Sequence, residues 1–190
     1  METKLLNYQR SIRIPKDRVG VIIGKNGNIK QEIEKKFKID ISIDSDYGDV
    51  TLSSQVNNYD ILDLNKAAEI VHAISKGFSP ERAFDLISDD NILEIIDIRS
   101  FAGKSDNKLI RIKSRLIGER GKSRRTLEEL TGTYISIYGH NVSIIGLPEQ
   151  ISLASKAITM LCIGKSHKFV YEFLQKIKRK SKLERMKLWE

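Results

Sequence analysis

Apolar positions recur along this chain with two periods. Ile39, Ile41 and Ile43 alternate with Asp40, Ser42 and Asp44, the two-residue period of a half-buried strand. Val170, Phe173, Leu174 and Ile177 fall three and four residues apart, which predicts an amphipathic helix near the C-terminus. Turn residues punctuate the rest. A strand candidate, "RSIRIP", precedes an apolar helical run that breaks at Gly24. A charged helix follows at once, then the alternating strand, a hairpin turn at "DYGD" (46–49), a second strand and a long helix, Ile61–Ser75.

The same order then returns. "VIIGKNGNIKQEIEKKFKIDISI" (21–43) aligns with "RLIGERGKSRRTLEELTGTYISI" (115–137), and Gly24 and Gly27 stand 94 positions before Gly118 and Gly121. The strand candidate before the second copy is "LEIIDIRSF", its hairpin turn is "YGHN" (138–141), and its long helix runs from Pro148 to Ile163. Pro148 sits at a favoured first-turn position. A repeat of about 90 residues means tandem domains rather than a solenoid. Between the copies, Ser79 and Pro80 predict the start of a short helix over about 80–88.

Composition narrows the classes. The chain has 190 residues, 40% of them hydrophobic, enough for one large domain or two small cores. No apolar run approaches the ~18 residues of a membrane span. "METKLLNYQRSIRIP" lacks the apolar stretch of a secretory leader, so a cytoplasmic protein is expected. A single cysteine, Cys162, excludes an internal disulfide framework, and its apolar helical setting predicts an inert core residue. His72, His140 and His167 are scattered, so no metal site is expected.

The net charge of +8 favours an anionic partner, and its placement says more than its size. Residues 10–38 hold nine Lys or Arg against three acids, 99–125 ten against two, and 164–190 nine against three. Acids gather at Asp40–Asp49 and Glu81–Asp97.

A Gly-x-x-Gly turn between helices admits a foreign backbone because no Cβ intrudes, and it points the positive N-terminus of the next helix at the visitor. A sugar–phosphate backbone suits such a corner. Gly24, Lys25, Asn26, Gly27 and Lys30 would serve the first turn; Gly118, Glu119, Arg120, Gly121, Lys122, Arg124 and Arg125 the second. Glu119 opposes phosphate, but the cations after it outnumber it. One such turn is commonly a plain helix connection. Two copies in the same strand–helix context, both basic, favour single-stranded nucleic acid.

Other nucleotide sites fail on spacing. "GKS" occurs at Gly103, Gly121 and Gly164, yet the glycine a P-loop requires five positions earlier is Ile98, Leu116 or Thr159. Asp44, Asp46 and Asp49 suggest a metal loop, but a calcium loop would need Glu where Gln55 stands, and a hairpin turn explains the acids. Tyr134 and Tyr138 suit sheet packing or base stacking, and Phe169, Tyr171 and Phe173 are expected to bury a helix face. The last helix either packs on the second domain or adds phosphate contacts.

With these residues in view, "VGVIIGKNGNIKQEIEKKFKIDISI" resembles the core of the K-homology (KH) domain in its type I order, and the second copy resembles it equally. "AISKGFSPERAFDLI" (73–87) and "SRLIGERGKSRRTLEELTGTYISIYGHNVSIIG" (114–146) are similar to the archaeal branch of a ribosome-biogenesis family whose eukaryotic relatives include KRR-type proteins and the partner of the Nob endonuclease. The resemblance implies an α+β fold of two tandem type I KH domains, each a three-stranded antiparallel sheet on three helices, plus a C-terminal helix. The limits expected are 8–78 for the first domain, 79–91 for the connector, 92–164 for the second domain and 165–190 for the basic helix. It implies a monomeric, non-enzymatic, cofactor-free protein that binds single-stranded small-subunit (16S) rRNA near its 3′ end. A Nob-type endonuclease and the alpha subunit of initiation factor two are implied as partners. Two other classes remain from the residues alone: a protein adaptor with secondary RNA contact, and a metal nuclease using Asp44, Asp46 and Asp49.

Overall fold

The computed structural model describes residues 8–54 and 61–187, with side chains as far as residue 180. The chain divides between Asp89 and Asp90 into two units. The first runs β1 (Gln9–Arg13), α1 (Lys16–Ile23), α2 (Asn28–Phe37), β2 (Ile39–Asp44), β3 (Asp49–Ser54), α3 (Ile61–Ser75) and α4 (Pro80–Ala83). A 3-10 turn over Phe84–Ile87 continues α4, so the helix expected at about 80–88 tightens halfway. The second unit runs β4 (Ile92–Asp97), α5 (Arg99–Ala102), α6 (Asp106–Ile117), α7 (Lys122–Thr131), β5 (Tyr134–Tyr138), β6 (Asn141–Gly146), α8 (Pro148–Cys162) and α9 (His167–Lys187). Each sheet is three-stranded and antiparallel, ordered β1-β3-β2 and β4-β6-β5, so the α+β class expected of the sequence is the one observed.

Alternation decides which sheet face is covered. Ile39 and Ile41 are buried while Asp40, Ser42 and Asp44 are exposed, and Ile41 lies opposite Leu52 on the central strand. The acids of the first hairpin have a structural duty. The Asp44 carboxylate accepts from the amides of Asp46 (2.9 Å) and Tyr47 (3.1 Å), an Asx-turn, and Gly48 closes the turn in the left-handed region. Its carbonyl accepts from Ile14 N at 2.8 Å, joining the turn to the end of β1. No group of His, Cys, Asp or Glu that could hold a metal occurs among the described residues. Nor is any described helix long and apolar enough to cross a membrane.

One strand ends earlier than its apolar pattern predicts. "LEIIDIRSF" reads as a strand throughout, yet β4 stops at Asp97. There the Asp97 carboxylate accepts from the Arg99 amide (2.9 Å) and pairs with the Arg99 guanidinium, and α5 begins. The Arg99 hydrogen bonds hold the Asp97 carboxyl down at about 2.

Helices and sheet are tied at matching points in the two units. Glu34 on α2 accepts from Ile41 N (2.9 Å), and Glu128 on α7 accepts from Ile135 N (2.8 Å). An arginine ties each leading helix to backbone carbonyls at or just beyond the end of the long helix. Arg18 donates to Ile74 O (2.9 Å) and Phe78 O (2.5 Å); Arg115 donates to Lys165 O (2.6 Å).

The last helix is part of the second core. Val170 and Leu174 are fully buried in one cluster with Ile112, Leu116, Leu127, Ile158 and Leu161, and Tyr171 and Phe173 pack partly against it. Phe169 corrects the expectation of a buried aromatic face: half its surface is exposed. Helical spacing puts 170, 171 and 174 on the inner arc and turns 169 outward, where Lys165 Nζ lies 5.7 Å from its ring centroid. Cys162 is buried in the same cluster, and burial pushes its thiol up to about 11, so it stays protonated and unreactive at neutral pH. Leu174→Ala is expected to cost about 2–5 kcal/mol of stability, and Phe169→Ala under about 1 kcal/mol, read from denaturant midpoints.

Candidate nucleic-acid interface

Each glycine turn joins the end of one helix to the start of the next. Their backbones match: Gly24 and Gly118 have φ 73°, ψ 176° and φ 71°, ψ 176°; Asn26 and Arg120 have φ 55°, ψ 26° and φ 48°, ψ 31°; Gly27 and Gly121 have φ 78°, ψ 10° and φ 76°, ψ 14°. The first glycine thus occupies a region closed to side-chain-bearing residues. The second x-position and the second glycine are left-handed.

The two glycines of a pair do different work. A Cβ on Gly24 would meet Asn28 Oδ1 at 2.3 Å and Ile29 N at 2.9 Å; one on Gly118 would meet Ser123 N and Cβ at 2.7 Å. The first glycine therefore admits the protein's own next helix, not a guest. This corrects the expectation that both glycines open to a visitor. A Cβ on Gly121 would meet nothing within 4 Å, and on Gly27 only the end of Gln31 at 3.7 Å. The second glycine is the open one.

The turn leaves the following helix without a side-chain cap. Gly27 and Gly121 hold the N-cap positions of α2 and α7, and neither helix has a side-chain cap bond. Lys25, Asn26, Glu119, Arg120, Lys122 and Arg125 surround these ends and are all exposed. Arg125 Nη2 donates to the carbonyl of Arg120 (3.0 Å), which braces the second turn. Lys30 and Arg124 stand differently. Each is half-buried one helical turn from a carboxylate: Lys30 is 3.7 Å from Glu34 and Arg124 is 4.0 Å from Glu128. The same two glutamates hold the strand amides, so these cations are already partly neutralised. The remaining expected cations of the last helix beyond residue 180 lie outside the described side chains.

The apolar helix ends expected to line a groove for bases can now be assigned to residues. On α6, Ile110, Ser114 and Ile117 are exposed at i, i+4, i+7 spacing, leading to Gly118. The matching positions on α1 are Lys16, Gly20 and Ile23; Gly20 is exposed with nothing within 4 Å of an added Cβ. A signal existed. Ile22–Ile23 and Leu116–Ile117 put two apolar residues side by side at a helix end, and neighbours 100° apart cannot both face the core. Tyr134 on β5 is also exposed.

The inward and outward glycines should separate on substitution. Gly24→Ala and Gly118→Ala meet backbone atoms in a glycine-only conformation and are expected to destabilise by roughly 3 kcal/mol or more. Gly27→Ala and Gly121→Ala are expected to cost only about 1–2 kcal/mol, for the left-handed backbone. Thermal or urea unfolding of the four variants measures the split.

With this geometry in hand, known proteins supply the family. A model of the eukaryotic-type, type I KH domain matches residues 92–179, and a general KH-domain model matches 9–61. A KH domain-containing protein of Methanocaldococcus jannaschii is 47% identical over 179 residues, 94% of this chain and 78% of that one. RNA-binding protein pno1 of Dictyostelium discoideum is 28% identical, over 88% of this chain and 71% of that one. Among solved structures, Dim2p of Pyrococcus horikoshii has a TM-score of 0.83 at 43% identity, over 89% of this chain and 99% of that one. Dim2p in the crystal structure of the a/eIF2alpha–aDim2p–rRNA complex from the same organism has a TM-score of 0.86 at 42% identity, over 93% and 97%. Two strand–helix–turn–helix units with superimposable glycine corners, and relatives that match along nearly the whole length, place this chain in the KH-domain family, as a tandem type I member of the branch that includes the Dim2p and pno1 proteins.

Proposed function

We propose that this protein is a non-catalytic, cytoplasmic and monomeric RNA-binding factor of ribosome biogenesis. Its two KH modules, taken as 8–78 and 92–164 with 79–91 between them and 165–190 after, hold single-stranded small-subunit rRNA, in the 3′ region of the 16S molecule. The observation that carries this reading is the twice-built corner: an open glycine, an uncapped helix N-terminus and exposed cations at matching positions. Lys25, Asn26 and Gly27 meet one stretch of backbone and Glu119, Arg120 and Gly121 another, with Lys122 and Arg125 adding charge, while Gly24 and Gly118 shape the two turns from within. Lys30 and Arg124 take a lesser part because Glu34 and Glu128 hold them. Phosphate contacts position the strand, and the exposed face at Ile110 and Ile117, with the half-buried Ile23 at the matching place in the first unit, offers apolar surface to unstacked bases.

Relatives support the substrate and one partner. The 42%-identical Dim2p was crystallised with rRNA and a/eIF2alpha, and several relatives are named RNA-binding proteins. An initiation-factor-two alpha subunit is accordingly proposed as a protein partner, and a Nob-type endonuclease on the family resemblance. The same complex favours a second reading, in which the protein serves chiefly as an adaptor.

The loops decide between the readings. Lys25→Asp with Asn26→Asp, and Glu119→Asp with Arg120→Asp, keep residues that tolerate the left-handed backbone while placing acids at the turn. Each pair is expected to weaken binding of a single-stranded 16S 3′-end oligonucleotide by roughly tenfold or more, with the fold intact by circular dichroism. Fluorescence anisotropy at fixed salt measures it. Unchanged affinity in both, with a nuclease-resistant pull-down of the alpha subunit, would favour the adaptor. Binding should also fall with salt at a log–log slope of about −2 to −3, as expected for three or four phosphate contacts on a single strand. A flat dependence would contradict a phosphate-led mechanism.

A further inference from the structure

The two corners differ behind the turn. In the second unit the residue packed against Gly118 is Ser123, which is buried on α7. Its hydroxyl accepts a hydrogen bond from the Tyr171 hydroxyl of α9 at 3.1 Å. One helical turn earlier on α9, His167 Nε2 donates to the carbonyl of Arg115 at 2.9 Å, three residues before Gly118. The two aromatic rings contact each other, with centroids 5.9 Å apart. Arg115 is held a second time through its guanidinium at Lys165 O, just before α9 begins. Further along, Lys178 Nζ donates to Glu129 O near the end of α7, at 3.2 Å. The last helix thus grips the helix entering the turn with His167 and the helix leaving it with Tyr171 and Lys178. In the first unit Ser123 is replaced by Ile29, which has no hydroxyl to offer.

We propose that His167 and Tyr171 are positioning residues for the second RNA-binding turn: α9 fixes the spacing of α6 and α7 so that Gly118–Gly121 stands preset for a phosphate backbone. The proposal rests on the RNA-binding reading above. A turn in which three of four residues, Gly118, Arg120 and Gly121, are left-handed or glycine-only has local strain to hold, and a tie at both of its flanks holds it before any ligand arrives. Neither side chain belongs to the exposed cation set, so neither need touch the RNA.

The test uses the full-length protein. Tyr171→Phe keeps the ring and removes only the hydroxyl; Ser123→Ala removes the other end of the same bond and keeps its Cβ. Each is expected to speed amide hydrogen exchange at Arg120–Ser123, leave exchange at Lys25–Ile29 unchanged, and weaken oligonucleotide binding roughly two- to tenfold, the range of one neutral hydrogen bond. The double variant should lose no more than either single one. The salt slope should stay that of the native protein, since no phosphate contact is removed. His167→Ala should accelerate exchange at the same amides. Arg120→Asp is the control: if it abolishes binding while Tyr171→Phe and Ser123→Ala alter neither exchange nor affinity, the tie has no positioning role. If Arg120→Asp leaves binding unchanged, the RNA-binding reading of this turn fails first. A variant that loses secondary structure by circular dichroism is replaced by its partner at the other end of the bond.

Discussion

Two helices can meet at a tight corner only where no side chain stands between them, and this protein meets that condition twice. Gly24 and Gly118 let the first residues of α2 and α7 come within about 3 Å of where a Cβ would lie. Everything outward of the corner depends on that inward contact. It forces the next residues into left-handed conformations, ends the following helix without a cap, and brings the second glycine to the surface. The proposed binding surface is thus the far side of a packing constraint.

Around the corner the two units keep the skeleton and vary the charge. Glu34 and Glu128 each serve a strand amide and a cation, and Arg18 and Arg115 each tie the leading helix to backbone carbonyls at or just beyond the end of the long helix. These buried or half-buried tasks tolerate little change. The turn side chains carry no such task, and there Lys25 and Asn26 of the first copy correspond to Glu119 and Arg120 of the second. Shape is common to both units, and local potential is not.

Much of this was legible in the residues. The glycine pairs, the alternation of Ile39 and Ile41, the turn chemistry of "DYGD" and "YGHN", and Pro148 each act within a few residues, so the sequence displays them directly. What escaped has no signature in the pattern of apolar and polar positions. The end of β4 is set by the Asp97 side chain turning on the Arg99 amide, while the apolar pattern runs straight past it. The role of Glu34 becomes visible only when β2 folds back beside α2. The outward turn of Phe169 is a matter of helical phase, which one aromatic among several does not reveal. The Tyr171–Ser123 bond joins residues 48 apart and has no local signature at all.

The inward-facing glycine also bears on how genetic variants of such a protein should be sorted. Lesions at Gly24 and Lys25, or at Gly118 and Arg120, are neighbours on any linear map and would share a phenotype in a growth screen. Their expected causes are opposite: the glycine changes are expected to deplete the cell of the protein, and the cation changes, on the proposed function, to leave an abundant protein with weakened RNA binding. Only a measure of steady-state protein level, read beside the phenotype, tells the two populations apart.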